Sequence, residues 1–359
     1  MRDRPIYAHY AVTHRCNLRC RSCTIWKNGS AASELTVDAA RQLAAVLARL
    51  GCIQVSLGGG EPTMRPDLPG IVQAFQSVGI RPRVLTNGVG LEPDLIDRLV
   101  GIGVREISFS LNSLRAELQE ELDEVPGTFD RRMRHLFLLA ERLPRRGVLP
   151  VLNIVVTPRN VGELDALLDL AGRIGFFASF IPVHLAAGGE RGHRAYGCDA
   201  DLRFVPEERP EIRAAYGRLI AGKRRGAPIL NSTAFLERSA EYLAAGRTDW
   251  PCRAGRLYLS VAPDGRIGAC HAFEGTQDVP FREFADRYRS AAFRRELARA
   301  HERCEGCFRP CWAEVSYMMT DPRSFLEMAR VQARVRLGRR PLDLDAARSL
   351  LERRREAAS

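Results

Sequence analysis

The feature that most constrains the fold is a regular alternation of short apolar runs with longer amphipathic segments between residues 6 and 183. Runs rich in β-branched residues predict strands, and segments with apolar residues at helical spacing predict the helices between them. No hairpin turn joins neighbouring strands, so each strand returns to the sheet through a helix, which gives parallel pairing. We therefore predict an α/β fold, a partial (β/α)6 barrel whose function lies at the carboxyl ends of its strands.

The predicted elements follow one another in strict order along this region. The strands are expected at residues 6–13, 53–57, 82–86, 105–111, 151–157 and 176–183. The helices are expected at residues 36–50, 67–78, 93–100, 130–143 and 162–174. Start signals support several of the helices, such as Glu92-Pro93 before the third one.

The pattern changes after Gly188-Gly189. Two further helices are expected, and then Pro263-Asp264-Gly265 forms a turn between two short apolar runs, which predicts a β-hairpin. The last 37 residues, 323–359, belong to a C-terminal segment whose pattern predicts two helices. We expect a barrel domain at residues 1–245, a small hairpin-plus-helix domain at 246–321 and basic helices at 322–359.

Composition excludes several classes of protein. With 359 residues, 45% apolar and 27% charged, the chain can bury a large core, which excludes disorder, coiled coil and collagen. Neither a signal peptide nor a membrane span is evident, so a cytoplasmic location is expected. The net charge is +11, and the basic residues are nearly all arginine. The sequence lacks a recognisable nucleic-acid-binding module, so no nucleic-acid partner is expected. The basic residues 323–359 leave contact with an anionic membrane surface as an alternative.

Ten cysteines are more than packing needs, and in a reducing compartment their clustering indicates metal binding or catalysis. Cys16, Cys20 and Cys23 form a C-x3-C-x2-C run directly after the first predicted strand. Three thiolates bind three irons of a 4Fe–4S cluster, and the fourth iron is then open to a substrate or cofactor. A structural zinc loop is the alternative, with His14 as a poorly placed fourth ligand.

This run, together with Gly58-Gly59-Gly60-Glu61-Pro62 after the second strand, resembles the radical S-adenosylmethionine (radical SAM) superfamily over roughly residues 6–185. The resemblance implies that the open iron chelates the amino and carboxylate groups of S-adenosylmethionine. It further implies reductive cleavage of the sulfonium C–S bond to methionine and a 5′-deoxyadenosyl radical, which abstracts hydrogen from substrate. An electron donor such as flavodoxin or ferredoxin is the expected partner.

The resemblance also implies which residues bind S-adenosylmethionine. Glycines allow close backbone approach, so carbonyl groups of Gly58, Gly59 and Gly60 are expected to accept from the methionine ammonium group. The other expected cofactor-binding residues are Glu61, Pro62, Asn87, Ser110, Asn112 and Asn153. The family's aromatic residue before the third cysteine is Ser22 here, and Trp26 is a candidate substitute on the same loop.

A second cysteine set follows a recognisable spacing, Cys252-x12-Gly265-x4-Cys270 and then Cys304-x2-Cys307-x3-Cys311. It resembles the C-terminal SPASM extension of radical SAM enzymes and its shortened form, Twitch. The resemblance implies one auxiliary 4Fe–4S cluster held by four of these five cysteines. Cys252, Cys270, Cys304 and Cys307 are the preferred set, with Cys311 able to replace one of them. A zinc ribbon is the alternative.

Two cysteines stand outside these sets. Cys52 is expected to pack in the core, and Cys198 is expected near the barrel mouth, where it is a candidate hydrogen-atom donor or a buried small hydrophobe. Further candidates for substrate or proton handling in the same region are His184, Glu190, His193 and Asp199.

The leading function is a radical SAM enzyme acting on a small molecule by dehydrogenation, epimerisation or C–C bond formation. Only 15 residues precede Cys16, which leaves no room for an N-terminal peptide-recognition module and favours this substrate class. The alternatives are a peptide (RiPP) maturase, a lipid-directed enzyme, and a non-enzymatic zinc or iron–sulfur protein.

Overall fold

The computed structural model describes residues 4–28, 33–185, 198–270, 279–302, 304 and 307–356. Within them the predicted alternation of strands and helices is present. The parallel strands are β1 (Tyr7–Thr13), β2 (Gln54–Gly59), β3 (Arg81–Thr86), β4 (Glu106–Ser110), β5 (Leu149–Val156) and β6 (Phe177–Pro182). Each of these strands begins and ends within about two residues of a predicted strand.

The helices cover the outer face of the sheet and continue into the C-terminal half. They are α1 (Val37–Leu50), α2 (Leu68–Gln76), α3 (Pro93–Gly101), α4 (Ala116–Asp123), α5 (Phe129–Arg142), α6 (Leu164–Arg173), α7 (Arg209–Arg224), α8 (Thr233–Ala245), α9 (Phe281–Arg289), α10 (Ala291–Glu302), α11 (Pro310–Thr320), α12 (Pro322–Leu337) and α13 (Leu344–Glu356). Sequence patterns did not predict α4, α9, α10 or α11.

A nine-stranded sheet runs in the order β6-β5-β4-β3-β2-β1-β7-β8-β9. The last three strands are β7 (Tyr258–Val261), β8 (Arg266–Gly268) and β9 (Val279–Pro280). The predicted hairpin is therefore present as β7 and β8, but it extends the barrel sheet, because β7 pairs in parallel with β1 and Tyr7 aligns with Tyr258. This pairing fixes the C-terminal cysteines relative to the barrel.

The two faces of the strands differ in polarity. In β2, Val55 and Leu57 are fully buried in the core cluster that includes the helices, whereas Ser56 lies on the inner face and accepts from the Tyr7 hydroxyl at 2.7 Å. On the same inner row Arg83 pairs with Glu106 at 2.7 Å. The amino end of the barrel interior is thus closed by a polar network.

Helix α11 bridges the open side of the barrel. Its Trp312 stacks on Tyr258 of β7, with ring centres 5.1 Å apart. Two residues later, the Glu314 carboxylate accepts from the backbone N–H of Ser232 at 3.0 Å and from the side chain of Asn231, whose own oxygen accepts from Phe180 of β6. One short helix therefore links β7 to the segment before α8, which is itself hydrogen-bonded to β6.

Glu314 makes the stability of this bridge dependent on pH. Burial raises the pKa of Glu314 to about 7, against the opposing hydrogen bonds from Ser232 and Asn231. Because the folded protein then holds a proton that the unfolded chain releases, stability falls as the pH rises from about 4.5 to about 7. We expect Glu314→Gln, which is neutral and retains an acceptor, to raise the urea midpoint at about pH 8 and leave it nearly unchanged at about pH 5. An equal change at both pH values contradicts this account.

The basic C-terminal helices pack on the barrel through a buried arginine. Arg340 lies between α12 and α13 and donates to the carbonyl oxygens of Ile174 at 2.8 Å and Leu143 at 3.0 Å, at the carboxyl ends of α6 and α5. A cation at a helix carboxyl end is favourable, so this arginine has a structural role. In the part of the chain that the structure describes, no helix is long and apolar enough to cross a membrane.

Candidate active site

Cys16, Cys20 and Cys23 lie on the loop after β1, and the end of α4 holds that loop in place. The backbone N–H groups of Arg19 and Arg21 donate to the carbonyl oxygens of Asp123 and Leu122, each at 3.0 Å. The Cys20 thiol donates to the Asp123 carboxylate at 3.4 Å. Helix α4, which the sequence patterns did not predict, therefore supports the cysteine loop.

Asp123 is itself fixed by a buried ion pair. Its second carboxylate oxygen lies 2.7 Å from Arg132 of α5, and the two side chains are only 3% and 1% exposed. The Gln119 amide donates to the same oxygen at 3.0 Å. Cys20 thus contacts a carboxylate that a buried ion pair and a hydrogen bond hold in place, and no pattern in the sequence indicated this arrangement.

The three thiols share one electrostatic environment. Burial raises the pKa of Cys16 to about 12, with Glu61 and Cys23 adding to the effect. Burial likewise raises the pKa of Cys20, followed by the charges of Asp123 and of the other two cysteines. A bound metal reverses such an effect, because its positive charge favours the thiolate.

Two N–H groups lie close to the Cys16 sulfur. The Leu18 backbone N–H donates to the Cys16 sulfur at 3.5 Å, and the Asn87 side-chain amide lies 4.0 Å from it. Hydrogen bonds to the thiolate sulfurs are typical of iron–sulfur ligands, so the loop fits an iron–sulfur cluster. Among the described residues, no three His, Cys, Asp or Glu side chains converge on a single metal-ion position.

The glycine turn after β2 packs backbone against backbone. Gly60 donates its N–H to the Thr13 carbonyl at 2.8 Å, and a Cβ added at Gly60 would lie 2.1 Å from the Arg15 carbonyl oxygen. Gly59 has φ 111°, and a Cβ there would lie 2.1 Å from the Thr13 oxygen. Only glycine permits this approach, which brings the turn to the cysteine loop.

We therefore expect Gly60→Ala to weaken S-adenosylmethionine binding by about tenfold or more, because the turn must move away from the cysteine loop. Equilibrium dialysis with the reconstituted protein measures this effect. Gly101→Ala is the matched control, since an added Cβ there meets nothing within 4 Å. Equal affinity in both variants contradicts a binding role for the turn.

Glu61 is directed into the protein. Its carboxylate accepts from the Thr86 hydroxyl at 2.8 Å, from the Asn87 backbone N–H at 2.7 Å and from the Thr63 backbone N–H at 3.1 Å. It therefore joins the turn after β2 to the end of β3. Pro62, which follows it, is buried.

The other expected cofactor-binding residues lie at strand ends. Ser110 of β4 and Asn153 of β5 are register partners and half-buried. The Asn112 side-chain oxygen accepts from the Val155 backbone N–H at 2.8 Å, so this group holds β5 against the loop after β4. Asn87 donates to the Asn17 side chain at 2.7 Å, beside Cys16. Their roles toward S-adenosylmethionine stay predictions.

Cys198 lies at the barrel mouth beside the cysteine loop. Its neighbour Asp199 donates its N–H to the Arg21 carbonyl at 3.0 Å, and the Asp199 carboxylate pairs with the Arg21 guanidinium at 2.9 Å. Burial raises the pKa of the Cys198 thiol. The hydrogen-donor role of Cys198 stays a prediction, and Glu190 and His193 lie outside the described residues.

The barrel also contains two histidines in their neutral form. Burial, followed by the charge of Arg309, lowers the pKa of His9 to about 4 and that of His184 to about 3. Burial raises the pKa of Cys23, and the charge of Arg309 partly opposes this rise. It lies two residues after Cys307, so this arginine stands between the two cysteine sets, and its role was not evident from the sequence.

Three of the C-terminal cysteines, Cys252, Cys270 and Cys307, act electrostatically on Tyr258. The charge of Cys304 raises the pKa of Cys252, and the charges of Cys252 and Cys304 raise that of Cys307, in each case after burial. Cys252, Cys270 and Cys307 all raise the pKa of Tyr258. Cys304 thus acts on Cys252 and Cys307, and the assignment of these three cysteines and Cys270 as metal ligands stays a prediction.

Cys311 acts on Tyr7, on the neighbouring strand β1. It raises the pKa of Tyr7, where burial is the largest cause, and it hydrogen-bonds the Tyr7 hydroxyl. The charge of Cys311 also acts on Arg83, which lies on the inner face of β3. The fifth thiol is thus directed at the amino end of the barrel interior.

Comparison with known proteins identifies the family. Residues 10–171 match the model described as Radical SAM superfamily. The PqqA peptide cyclase of Ruegeria pomeroyi is 30% identical over 319 residues, which cover 85% of this chain and 80% of that protein. The chain belongs to the radical SAM superfamily. The mycofactocin maturase MftC of Mycobacterium tuberculosis is 28% identical over 270 residues, covering 75% of this chain and 65% of that protein.

Solved structures show the same fold. Streptococcus suis SuiB bound to precursor peptide SuiA aligns with a TM-score of 0.63 at 15% identity, covering 90% of this chain and 74% of that one. The predicted partial barrel is confirmed. As a radical SAM enzyme the protein uses a 4Fe–4S cluster and S-adenosylmethionine, and its C-terminal region is of the SPASM/Twitch kind with an auxiliary cluster.

Proposed function

We propose that this radical SAM enzyme modifies a peptide. The observation that carries the proposal is the similarity, over 85% of the chain, to a protein named as a peptide cyclase. A second similar protein is named as a maturase, and a structure with the same fold holds a precursor peptide. These findings favour the peptide alternative over the small-molecule substrate that the short segment before Cys16 had indicated.

We assign the reactive end of the barrel to the loop after β1 and the turn after β2. Cys16, Cys20 and Cys23 would hold the 4Fe–4S cluster, which supplies reductive cleavage of S-adenosylmethionine to a hydrogen-abstracting radical. We assign the Asp123–Arg132 pair and Glu61 as positioning residues, because Asp123 accepts from the Cys20 thiol and Glu61 joins the turn after β2 to the end of β3. The carbonyl groups of Gly58, Gly59 and Gly60 would accept from the methionine ammonium group.

Two histidines of the barrel are held in the neutral form. His9 and His184 are neutral at physiological pH, with pKa values of about 4 and about 3, so neither exchanges a proton there. The charge of Arg309 acts on both histidines, and a guanidinium group here favours a substrate with an acidic or carbonyl group. A flavodoxin or ferredoxin would supply the reducing electron.

For the second site we assign Cys252, Cys270, Cys304 and Cys307 as the auxiliary-cluster ligands and leave Cys311 out. The support is electrostatic proximity, since these four act on one another or on Tyr258, whereas Cys311 acts on Tyr7 and Arg83. We keep 1–245, 246–321 and 322–359 as domain boundaries, with the second domain joined to the barrel through β7.

Co-expression tests the peptide proposal. Each short peptide encoded beside the gene is produced with the enzyme and analysed by mass spectrometry. We expect one peptide to change in mass, for example by loss of two hydrogen atoms through a new cross-link, and not to change with the Cys16→Ala variant. If no peptide changes while an extract of small metabolites stimulates 5′-deoxyadenosine release, the small-molecule alternative is correct.

A further inference from the structure

Tyr258 occupies the junction between the barrel and the C-terminal cysteines. It lies in β7, the strand that joins the hairpin to β1, and its side chain is fully buried. Its register partner is Tyr7, so the two rings stand side by side on the sheet. A buried tyrosine normally has a partner for its hydroxyl group, and the identity of that partner is informative.

The partner of the Tyr258 hydroxyl is a cysteine. The oxygen lies 3.1 Å from the Cys252 sulfur, and Cys270 and Cys307 also act on this hydroxyl electrostatically. Between a phenol and a free thiol either atom can donate. A cysteine that ligates a metal is a thiolate and has no hydrogen, so with the site loaded only the phenol can donate.

Packing keeps the phenol in this position. The Tyr258 ring is stacked on Trp312 at 5.1 Å with an interplanar angle of 7°. The guanidinium carbon of Arg309 lies 5.2 Å from the centre of the Trp312 ring. Trp312 is itself only 2% exposed in α11, so the tyrosine ring is confined between strand and helix. The hydrogen bond is therefore preorganised.

A donor to a ligating sulfur stabilises the form of an iron–sulfur cluster with more negative charge, which is the reduced form. We propose that Tyr258, as a positioning residue, donates to the Cys252 sulfur and raises the reduction potential of the auxiliary cluster. This inference rests on the ligand assignment made under the proposed function. It adds a residue that sets how readily the second cluster takes up an electron.

The test uses the full chain with Cys16, Cys20 and Cys23 all replaced by alanine, so that the auxiliary cluster alone contributes to the EPR spectrum. A redox titration followed by EPR gives its midpoint potential. We expect Tyr258→Phe to shift the reduction equilibrium about tenfold toward the oxidised form, or ~59 mV for a one-electron couple. Tyr7→Phe is the matched control, because the Tyr7 hydroxyl contacts Ser56 and Cys311 instead, and it should leave the potential unchanged.

A second substitution should shift the midpoint potential in the opposite direction without removing the ring or the hydroxyl group. Placing 3-fluorotyrosine at position 258 makes the phenol a stronger donor, so the potential should rise. An unchanged potential in either variant, with the cluster iron retained, overturns the proposal for Tyr258. If the parent lacking the first three cysteines holds no cluster iron, the ligand assignment fails instead, and iron analysis separates the two outcomes.

Discussion

Replacing Cys20 with alanine should reduce 5′-deoxyadenosine release from S-adenosylmethionine by at least ~100-fold, since even the loss of an outer hydrogen-bonding partner of a metal ligand costs 10–100-fold. The same loss is expected for Cys16→Ala and Cys23→Ala, because each would remove one of only three protein ligands. Release of 5′-deoxyadenosine by the reconstituted, reduced protein is measured by liquid chromatography. The auxiliary cluster should remain in all three variants, so iron content should fall by about half.

The chain contains a suitable control cysteine. Cys52 is 5% exposed and belongs to the main hydrophobic core, far in sequence from either cysteine set. Cys52→Ala should slightly lower stability and leave 5′-deoxyadenosine release unchanged. If Cys52→Ala abolishes release as fully as Cys20→Ala does, the loss reports general damage, and the assignment of the first three cysteines is not supported.

Arg132→Met should lower the free energy of unfolding by about 3–5 kcal/mol, because it leaves the Asp123 carboxylate buried without its cation. The pair is 2.7 Å apart, and neither side chain is more than 3% exposed. Since Asp123 also contacts Cys20, the variant should load iron poorly at the first site. Urea unfolding of the protein before reconstitution measures the stability, and iron analysis measures the loading.

A neighbouring ion pair on the same helix provides the control. Arg142 of α5 lies 3.0 Å from Asp97, but both side chains are 51% exposed. Arg142→Met should therefore change the free energy of unfolding by only about 0–1 kcal/mol. Adding Asp123→Asn to Arg132→Met should recover part of the lost stability, because the unpaired charge is removed. Equal effects of the two arginine variants contradict a special role for the buried pair.

Local patterns were sufficient to predict the barrel strands but not, among others, helix α4 of the barrel or helix α11 of the C-terminal region. Strands β1–β6 follow from apolar runs, because each strand is buried on the helix side. Helix α4 lacks an apolar stripe because half of its buried face is polar, namely Gln119 and Asp123, which hold the cysteine loop. Helix α11 touches several parts of the barrel, so its apolar residues do not follow one face.

The same distinction applies to the site. Cys16, Cys20 and Cys23 and the glycine turn were evident because their chemistry depends on short spacing. The roles of Asp123 and Tyr258 were not evident, because Asp123 contacts Cys20 across 103 positions of the chain and the place of Tyr258 depends on how β7 pairs with β1. The choice among the C-terminal cysteines depended on the same long-range packing, which directs Cys311 toward Tyr7.

The central claim is that this chain holds two separate iron–sulfur clusters, an open one at Cys16, Cys20 and Cys23 and a closed one at the C-terminal set. Iron and zinc analysis of the reconstituted protein tests it most directly. The account predicts roughly eight irons per chain, falling to about four when either cysteine set is replaced by alanine. About four irons together with one zinc per chain, or eight irons that survive loss of Cys252 and Cys270, would contradict it.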